Sequence, residues 1–433
     1  MINLEANSGN ANNMYQLMEE LFPIHRSLVG PGFSRSLEVV KKKINLDVLK
    51  FKSGTKIYDW EIPKGFKVNE VYIKDSKGKK YLNFQDNHYH AWSHSSNFFG
   101  QLTKKELLKK VNTHHSIEDA IPLKVTYYRK KWGLCASKNE VKKLPNDIFE
   151  VNIDVEHIDY NLEIGIAKIK GKSKKTVLIS SYLCHPHGAN DNLSGVVILT
   201  ELYKLLKKKK NLEYNYIFAI WPETLGAIVF INKFKKQLKS FIGGFSSMSL
   251  GDSSPFLYKK SIQGNSLIDR AFLHALKHSG MKHKVMEYFS EGTCERQFNS
   301  PGVRLPYGLI SRGFTKFKEY HTSLDNLNLV KKKNLLESLK ICCKFVETLE
   351  RNFIYIPKFK CEPFLSKYGI YPYDLGAGEG RPGTREAFTY YEVSNFIDTE
   401  TDLLSIAERL NVPINLFDRA ISDFLKVALL KKK

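Results

Sequence analysis

What this chain has little of narrows its chemistry before any motif is read. Its six cysteines, Cys135, Cys184, Cys294, Cys342, Cys343 and Cys361, are scattered, with no Cys-x-x-Cys pair and no regular framework. A disulfide-stapled scaffold is therefore set aside and a reducing, cytoplasmic location is expected. Residues 1–13 have neither the basic start nor the apolar run of a secretory signal, so no export is expected. The most apolar stretches, residues 196–206 and 216–221, are interrupted or far shorter than the ~20 residues that span a bilayer, so no membrane insertion is expected. There is no phosphate loop, no Gly-x-Ser-x-Gly elbow and no internal repeat. The P-loop and α/β-hydrolase readings lose their usual signatures with them.

Acidic residues are also short: 45 Asp and Glu stand against 67 Lys and Arg, a formal charge of +22. Much of the excess lies in lysine runs at 41–43, 207–210, 331–333 and 431–433. Such a field favours acidic partners, whether nucleic acid, anionic head groups or phosphorylated or acidic sugars. The plainer reading is solvated helix ends and loops. At 433 residues, with 42% hydrophobic and 12% aromatic content, the chain can build a large core and is long enough for two or three domains.

Along the chain, apolar positions at helical spacing in residues 14–43, broken at Gly30-Pro31-Gly32, predict two helices. Residues 46–100 change to short apolar runs separated by Ser53-Gly54, Pro63-Lys64-Gly65 and Ser76-Lys77-Gly78, the pattern of short strands with turns. From about 150 to 350 strand and helix alternate. The runs 176–182 and 216–221 read as strands buried on both faces, with a helix over 193–210 between them. An α/β architecture follows. Residues 375–384, rich in Gly and charge, read as a loop, and three short helices at 389–397, 402–410 and 416–430 outline a helix-turn-helix or winged-helix shape.

The most informative stretch runs from Ser180 to Gly195, where a buried strand ends in His185 and Asp191 follows at the mouth of a helix. Imidazole and carboxylate then converge beyond a strand's carboxyl end, where ligands bind in open α/β sheets. A plain helix cap explains the Asn190-Asp191-Asn192 turn equally well. The next strand places Glu223 at the same edge in Pro222-Glu223-Thr224-Leu225-Gly226. A third apolar run ends at Asp252, and Glu319-Tyr320-His321-Thr322-Ser323-Leu324-Asp325-Asn326 brings a second imidazole among acids. Histidine nitrogens and aspartate oxygens around an open position suit zinc, with a non-ligand Glu to accept a proton from water.

With those motifs in place, the chain resembles the bacterial aminopeptidase-like proteins that carry a domain of unknown function, distant relatives of the di-zinc aminopeptidases whose members often sit among polysaccharide biosynthesis genes. The resemblance covers nearly the whole chain. It takes in the β-rich insert, through residues 53–60 and Trp132-Gly133-Leu134-Cys135, and a winged-helix-like tail. It implies an aminopeptidase-like α/β domain of residues 1–48 and 138–358 with a mixed sheet flanked by helices, a β-rich insert at 49–137 and a winged-helix-like domain at 359–433. It implies that His185 ligates one metal, that Asp191 bridges, that Asp252 further ligates the first metal, that His321 ligates the second, and that Glu223 is the general base. Two positions depart from the pattern. Thr224 stands where the relatives have a metal-binding Glu, so a single zinc held by His185, Asp191 and His321 is as well supported as two. Cys294 stands where they have Asp, as a soft ligand or a tolerated change.

Arg296, Arg312 and Tyr320 are the expected substrate contacts, the arginines by bidentate grip of a carboxylate or phosphate. His187 is expected beside the metal without ligating it, or exposed, and His88, His90 and His94 are expected to be surface histidines. The function expected is zinc-dependent hydrolysis of an amide bond, in a small peptide or in an acylamino sugar or nucleotide-sugar of surface polysaccharide biosynthesis. A cyclase or deacetylase on the same site is a further option. The expected partner is a small-molecule or short-peptide substrate, acidic where the positive field selects it, and a homo-oligomer stays open. The alternative is a non-catalytic peptidase-like scaffold whose tail serves a regulatory or nucleic-acid-binding role.

Overall fold

The computed structural model describes residues 2–371 and 385–433, so the loop expected at 375–384 lies outside the described residues. The chain divides into two units: residues 6–269 with 282–340, and residues up to Glu5 with 270–281 and 341–433.

The larger unit opens with helix α1 (Ser8–Leu21). It starts earlier than apolar spacing predicts because Asn7 and Asn10 form a reciprocal capping box. Helix α2 (Pro31–Lys41) begins on Pro31, whose fixed φ and missing N–H suit a first turn. Gly30 before it has φ 153°, and a Cβ there would lie 2.6 Å from the Phe66 carbonyl oxygen. Only glycine fits this turn, where Phe66 N–H reaches the Val29 carbonyl at 2.9 Å.

The strands are β1 (Asp47–Lys52), β2 (Gly65–Lys74), β3 (Phe98–Thr103), β4 (Ile148–Ile158), β5 (Asn161–Ile169), β6 (Thr176–Tyr182), β7 (Asn215–Trp221), β8 (Phe241–Met248), β9 (Phe256–Lys259), β10 (His283–Met286) and β11 (Tyr307–Arg312). Eight make one mixed sheet in the order β1-β5-β7-β6-β8-β11-β9-β10. Its centre is parallel: Tyr182 of β6 pairs with Trp221 of β7, Ser180 with Ser246 of β8, and Ser246 in turn with Leu309 of β11. All seven residues of β6 are buried, as a strand covered on both faces requires. The fold class is therefore the expected one, a large mixed sheet flanked by helices.

Strands β2, β3 and β4 form a smaller sheet with Lys80–Tyr81, in the order Lys80–Tyr81, β2, β4, β3. Phe66, Val71, Ile73, Phe149, Val151 and Ile153 bury its inner face. The longest of its strands, β4, lies in sequence beyond residue 137. This packing corrects one expectation: His90 is 2% and His94 3% exposed, so neither is a surface residue. His90 Nδ1 meets the Cys135 carbonyl at 2.9 Å, His94 stacks on Phe66, and His88, partly buried, stacks on Phe84.

In the smaller unit, Asp402 caps the helix Leu403–Leu410, accepting from Ser405 N–H at 2.7 Å, and both its oxygens receive the Arg270 fork at 3.1 and 3.2 Å. The helix expected over 416–430 is shorter. Asp418–Lys426 is helical, Ala428 reverses the chain at φ 58°, and Leu430–Lys432 pairs antiparallel with Tyr355–Pro357. Among the described residues, no helix is long and apolar enough to cross a membrane.

Candidate metal centre

Adjacent strands β7, β6, β8 and β11 all point their carboxyl ends at one edge of the sheet, and the loops beyond them carry the chemistry. After β6 the chain passes His185 and enters a turn at Ala189–Ser194 in which Asp191 and Asn192 have non-helical backbone angles. The helix expected to start near Leu193 therefore forms only from Gly195, and the delay aims Asp191 into the site. Asn192 anchors that turn through Ser181 Oγ at 2.9 Å and the Ser247 carbonyl at 3.0 Å.

The structure brings His185, Asp191 and His321 together. Asp191 Oδ2 lies 3.1 Å from His185 Nδ1 and 3.2 Å from His321 Nε2, and one donor atom from each residue falls within 4.8 Å of the others. The two imidazoles stand perpendicular at 5.2 Å, and Tyr320 stacks on His321 at 3.8 Å. Tyr182 Oη donates to Asp191 Oδ1. Glu223 Oε2 approaches His185 Nε2 at 3.4 Å, completing the edge.

This arrangement calls for a cation. Asp191 is 2% exposed, yet its Oδ2 has no hydrogen-bond partner among the described residues, and neither does His321 Nε2, the atom that faces it. Burial opposes the charged carboxylate, but His185 and then His321 hold the Asp191 carboxyl below its ordinary range. Burial likewise opposes a charged His185, while Asp191 and Glu223 raise that imidazole well above its usual value. The site thus brings two imidazole nitrogens to one unsatisfied carboxylate oxygen. Two imidazole nitrogens, a carboxylate oxygen and a neighbouring acid are a donor set that fits zinc.

A second group, Cys184, His185 and Glu223, overlaps the first through His185. Burial pushes the Cys184 thiol up to about 11, and its sulfur accepts the Glu223 N–H at 3.2 Å. A protonated thiol in that position supports the turn instead of offering a ligand.

The other expected residues divide. Asp252 stays outside the donor group, because its oxygens accept from Asn190 Nδ2 at 2.8 Å and Ser254 N–H at 2.6 Å. Arg312 is withdrawn from substrate: its fork is taken up by Glu337 at 2.6 Å, Ser338 at 3.1 Å and the Ser254 carbonyl at 3.1 Å, above the Phe256 ring. Arg296 lines a cavity of about 410 Å³ with Glu223, Thr224, Trp60, Tyr127 and Tyr128. His187 turns away from the donor group and stacks on Phe22 at 4.2 Å. Thr224, at φ 61°, donates its N–H to Cys294 Sγ at 3.4 Å, and Trp221 Nε1 donates to the same sulfur at 3.3 Å. Cys294 therefore backs the Glu223 turn.

Asp325 was not among the expected site residues. It brackets the turn, with Oδ1 accepting Asn190 N–H at 2.6 Å and Oδ2 accepting Asp191 N–H at 2.9 Å. Burial, then the charge of Asp191, pushes its carboxyl up to about 7. Its only sequence signal is its place close behind His321.

The family model described as a domain of unknown function, DUF4910, matches residues 15–352. A protein of Clostridium acetobutylicum, provisionally named a polysaccharide biosynthesis protein with an aminopeptidase-like domain, is 35% identical over 429 residues, covering 99% of this chain and 98% of that one. A crystal structure from the same organism, provisionally named a peptidase, matches with a TM-score of 0.92 at 34% identity, over 98% of this chain and 97% of that one. A zinc aminopeptidase from Bacillus subtilis shares the fold, with a TM-score of 0.59 at 14% identity, over 80% of this chain and 96% of that one.

Proposed function

Because this chain belongs to the family described as a domain of unknown function, DUF4910, with an aminopeptidase-like fold, we propose that it is a zinc-dependent hydrolase of an amide bond. His185, Asp191 and His321 would hold the ion, and Glu223 is the general base. The observation that carries this reading is the buried Asp191 oxygen, without a hydrogen-bond partner among the described residues and facing imidazoles on both sides. When bound, zinc polarises a carbonyl and makes water easier to deprotonate.

The chain's own residues supply the rest. Glu223 is partly open to a cavity, close enough to the donor group to take a proton from water and return it to the departing amine. Tyr182 and Asp325 fix the Asp191 turn, and Tyr320 fixes the plane of the His321 ring. Arg296 stands where it can meet an anionic part of the substrate. One ion is our reading, because the donor groups among the described residues share His185, Asp252 is engaged elsewhere, and the hydroxyl of Thr224 is a poor zinc ligand.

The amide belongs to a small peptide or to an acylamino sugar, and the name carried by the Clostridium relative favours the second. The free cysteines support a reducing, cytoplasmic setting. Glu223→Gln should keep the zinc and lower turnover by about 10²–10⁴-fold. An unchanged rate in that variant would reject the role of Glu223.

A further inference from the structure

Two cavities meet at one aromatic wall. The first, about 410 Å³, holds Glu223. The second, about 720 Å³, is bordered by His94, Glu61, Lys64 and Arg129, and Tyr127 and Tyr128 line both. Neither ring belongs to the core: Tyr127 is 49% and Tyr128 56% exposed. Large aromatic faces standing open side by side mark a binding surface more often than an idle one.

Both rings are held in place. Tyr128 Oη donates to the Glu61 carbonyl at 2.7 Å. Tyr127 has φ 47°, a backbone state that a bulky residue keeps only when its surroundings impose it. Its ring lies 5.8 Å from that of His94. His94 is 3% exposed and its Nδ1 lies 3.1 Å from Ser93 Oγ, but its Nε2 has no hydrogen-bond partner among the described residues. A buried ring nitrogen of this kind, at the border of a cavity, is a polar group waiting for a ligand.

The charges around it narrow that ligand. Lys64 is paired with Asp159 at 3.4 Å and Glu156 with Lys67 at 2.9 Å, which leaves the carboxylate of Glu61 with the guanidinium of Arg129 and the ammonium of Lys130 at the same cavity. A ligand of several negative charges would meet Glu61 unfavourably. Hydroxyl groups, which both donate and accept, suit a mixed set of carboxylate, guanidinium and imidazole. Flat tyrosine rings offer the apolar face that the C–H side of a sugar ring needs.

We propose that the cavity beyond Tyr127 and Tyr128 is a glycosyl subsite, gripping a sugar ring of the same substrate whose amide is presented to Glu223. This rests on the hydrolase reading and names the substrate class for it. Remote binding of the sugar would position the amide at the base.

The test is saturation-transfer NMR on the full-length Glu223→Gln variant with N-acetylglucosamine, N-acetylgalactosamine, N-acetylmannosamine and di-N-acetylchitobiose, with triglycine as the comparison. At least one saccharide should receive saturation on its ring protons. Adding Tyr128→Ala, at an exposed ring whose removal spares the core, should weaken that binding about tenfold. No saccharide signal, an unchanged signal in the Tyr128→Ala background, or Tyr128-dependent binding of triglycine in place of the sugars would each overturn the subsite. Zinc-dependent turnover in wild type without sugar binding sinks the subsite alone. Tyr128-dependent sugar binding in a protein without zinc or turnover sinks the hydrolase reading and leaves the subsite standing.

Discussion

Leu123 donates its backbone N–H to the carbonyl of His321 at 2.8 Å, so a segment between strands β3 and β4 of the small sheet fixes a residue of the proposed metal centre. Ser323 strengthens the contact from the other side: its N–H reaches the Ile121 carbonyl at 2.9 Å, and its hydroxyl accepts the Ile121 N–H at 3.1 Å. His321 itself sits at φ 56°, a conformation that needs such outside support. The β-rich insert therefore acts on the site through backbone hydrogen bonds.

Removing the Leu123 donor should loosen His321 without unfolding the sheet. Leu123→Pro is expected to weaken zinc binding by about 10–100-fold, the usual range when support for a ligand is lost. Competition with a zinc-binding dye checks it, and circular dichroism of the same sample confirms that the fold is kept.

Asp325 offers a second lever. Its two oxygens accept the N–H groups of Asn190 and Asp191 in a buried turn. Asp325→Ala would leave both donors unpaired, at about 1–3 kcal/mol each. A lower midpoint in urea and weaker zinc binding are expected together, whereas loss of stability with zinc affinity unchanged would contradict its role in aiming Asp191.

This contrast shows how far the sequence could be read. The runs that become β6 and β7 carry their burial in their composition, because strands covered on both faces need continuous apolar residues, and the large sheet followed. The motif around His185 and Asp191 became legible only beside Glu223 and His321, because a helix cap explains the polar turn alone equally well. Asp325 was not legible, since its partners lie more than a hundred residues earlier and meet it only when β6 and β11 flank β8 in one sheet. Arg312 misled because a guanidinium near acids reads alike whether it awaits a ligand or is held by Glu337. The histidines at 88, 90 and 94 misled because spacing says nothing of the Phe84 ring against His88, the Cys135 carbonyl that meets His90 or the Phe66 ring against His94.

His88 and His94 give the larger unit a pH dependence. Burial first, then Arg26 for His88 and His157 for His94, pushes each imidazole down to about 4. The folded chain keeps them neutral, so their contribution is complete above the ordinary histidine value of about 6.5. It is lost progressively as pH falls from there toward 4, where the unfolded chain binds protons that the folded one does not. The melting temperature should drop between pH 7 and pH 5, and His88→Phe should make the drop shallower. A flat profile over that range would contradict the assignment.

The central claim is that His185, Asp191 and His321 together hold one cation. Metal analysis by mass spectrometry on protein purified without added metal, set beside Asp191→Asn and His321→Ala, tests it most directly. The account predicts about one zinc per chain in the wild type and little in either variant. Zinc retained in both variants, or none in the wild type after incubation with zinc, would contradict it.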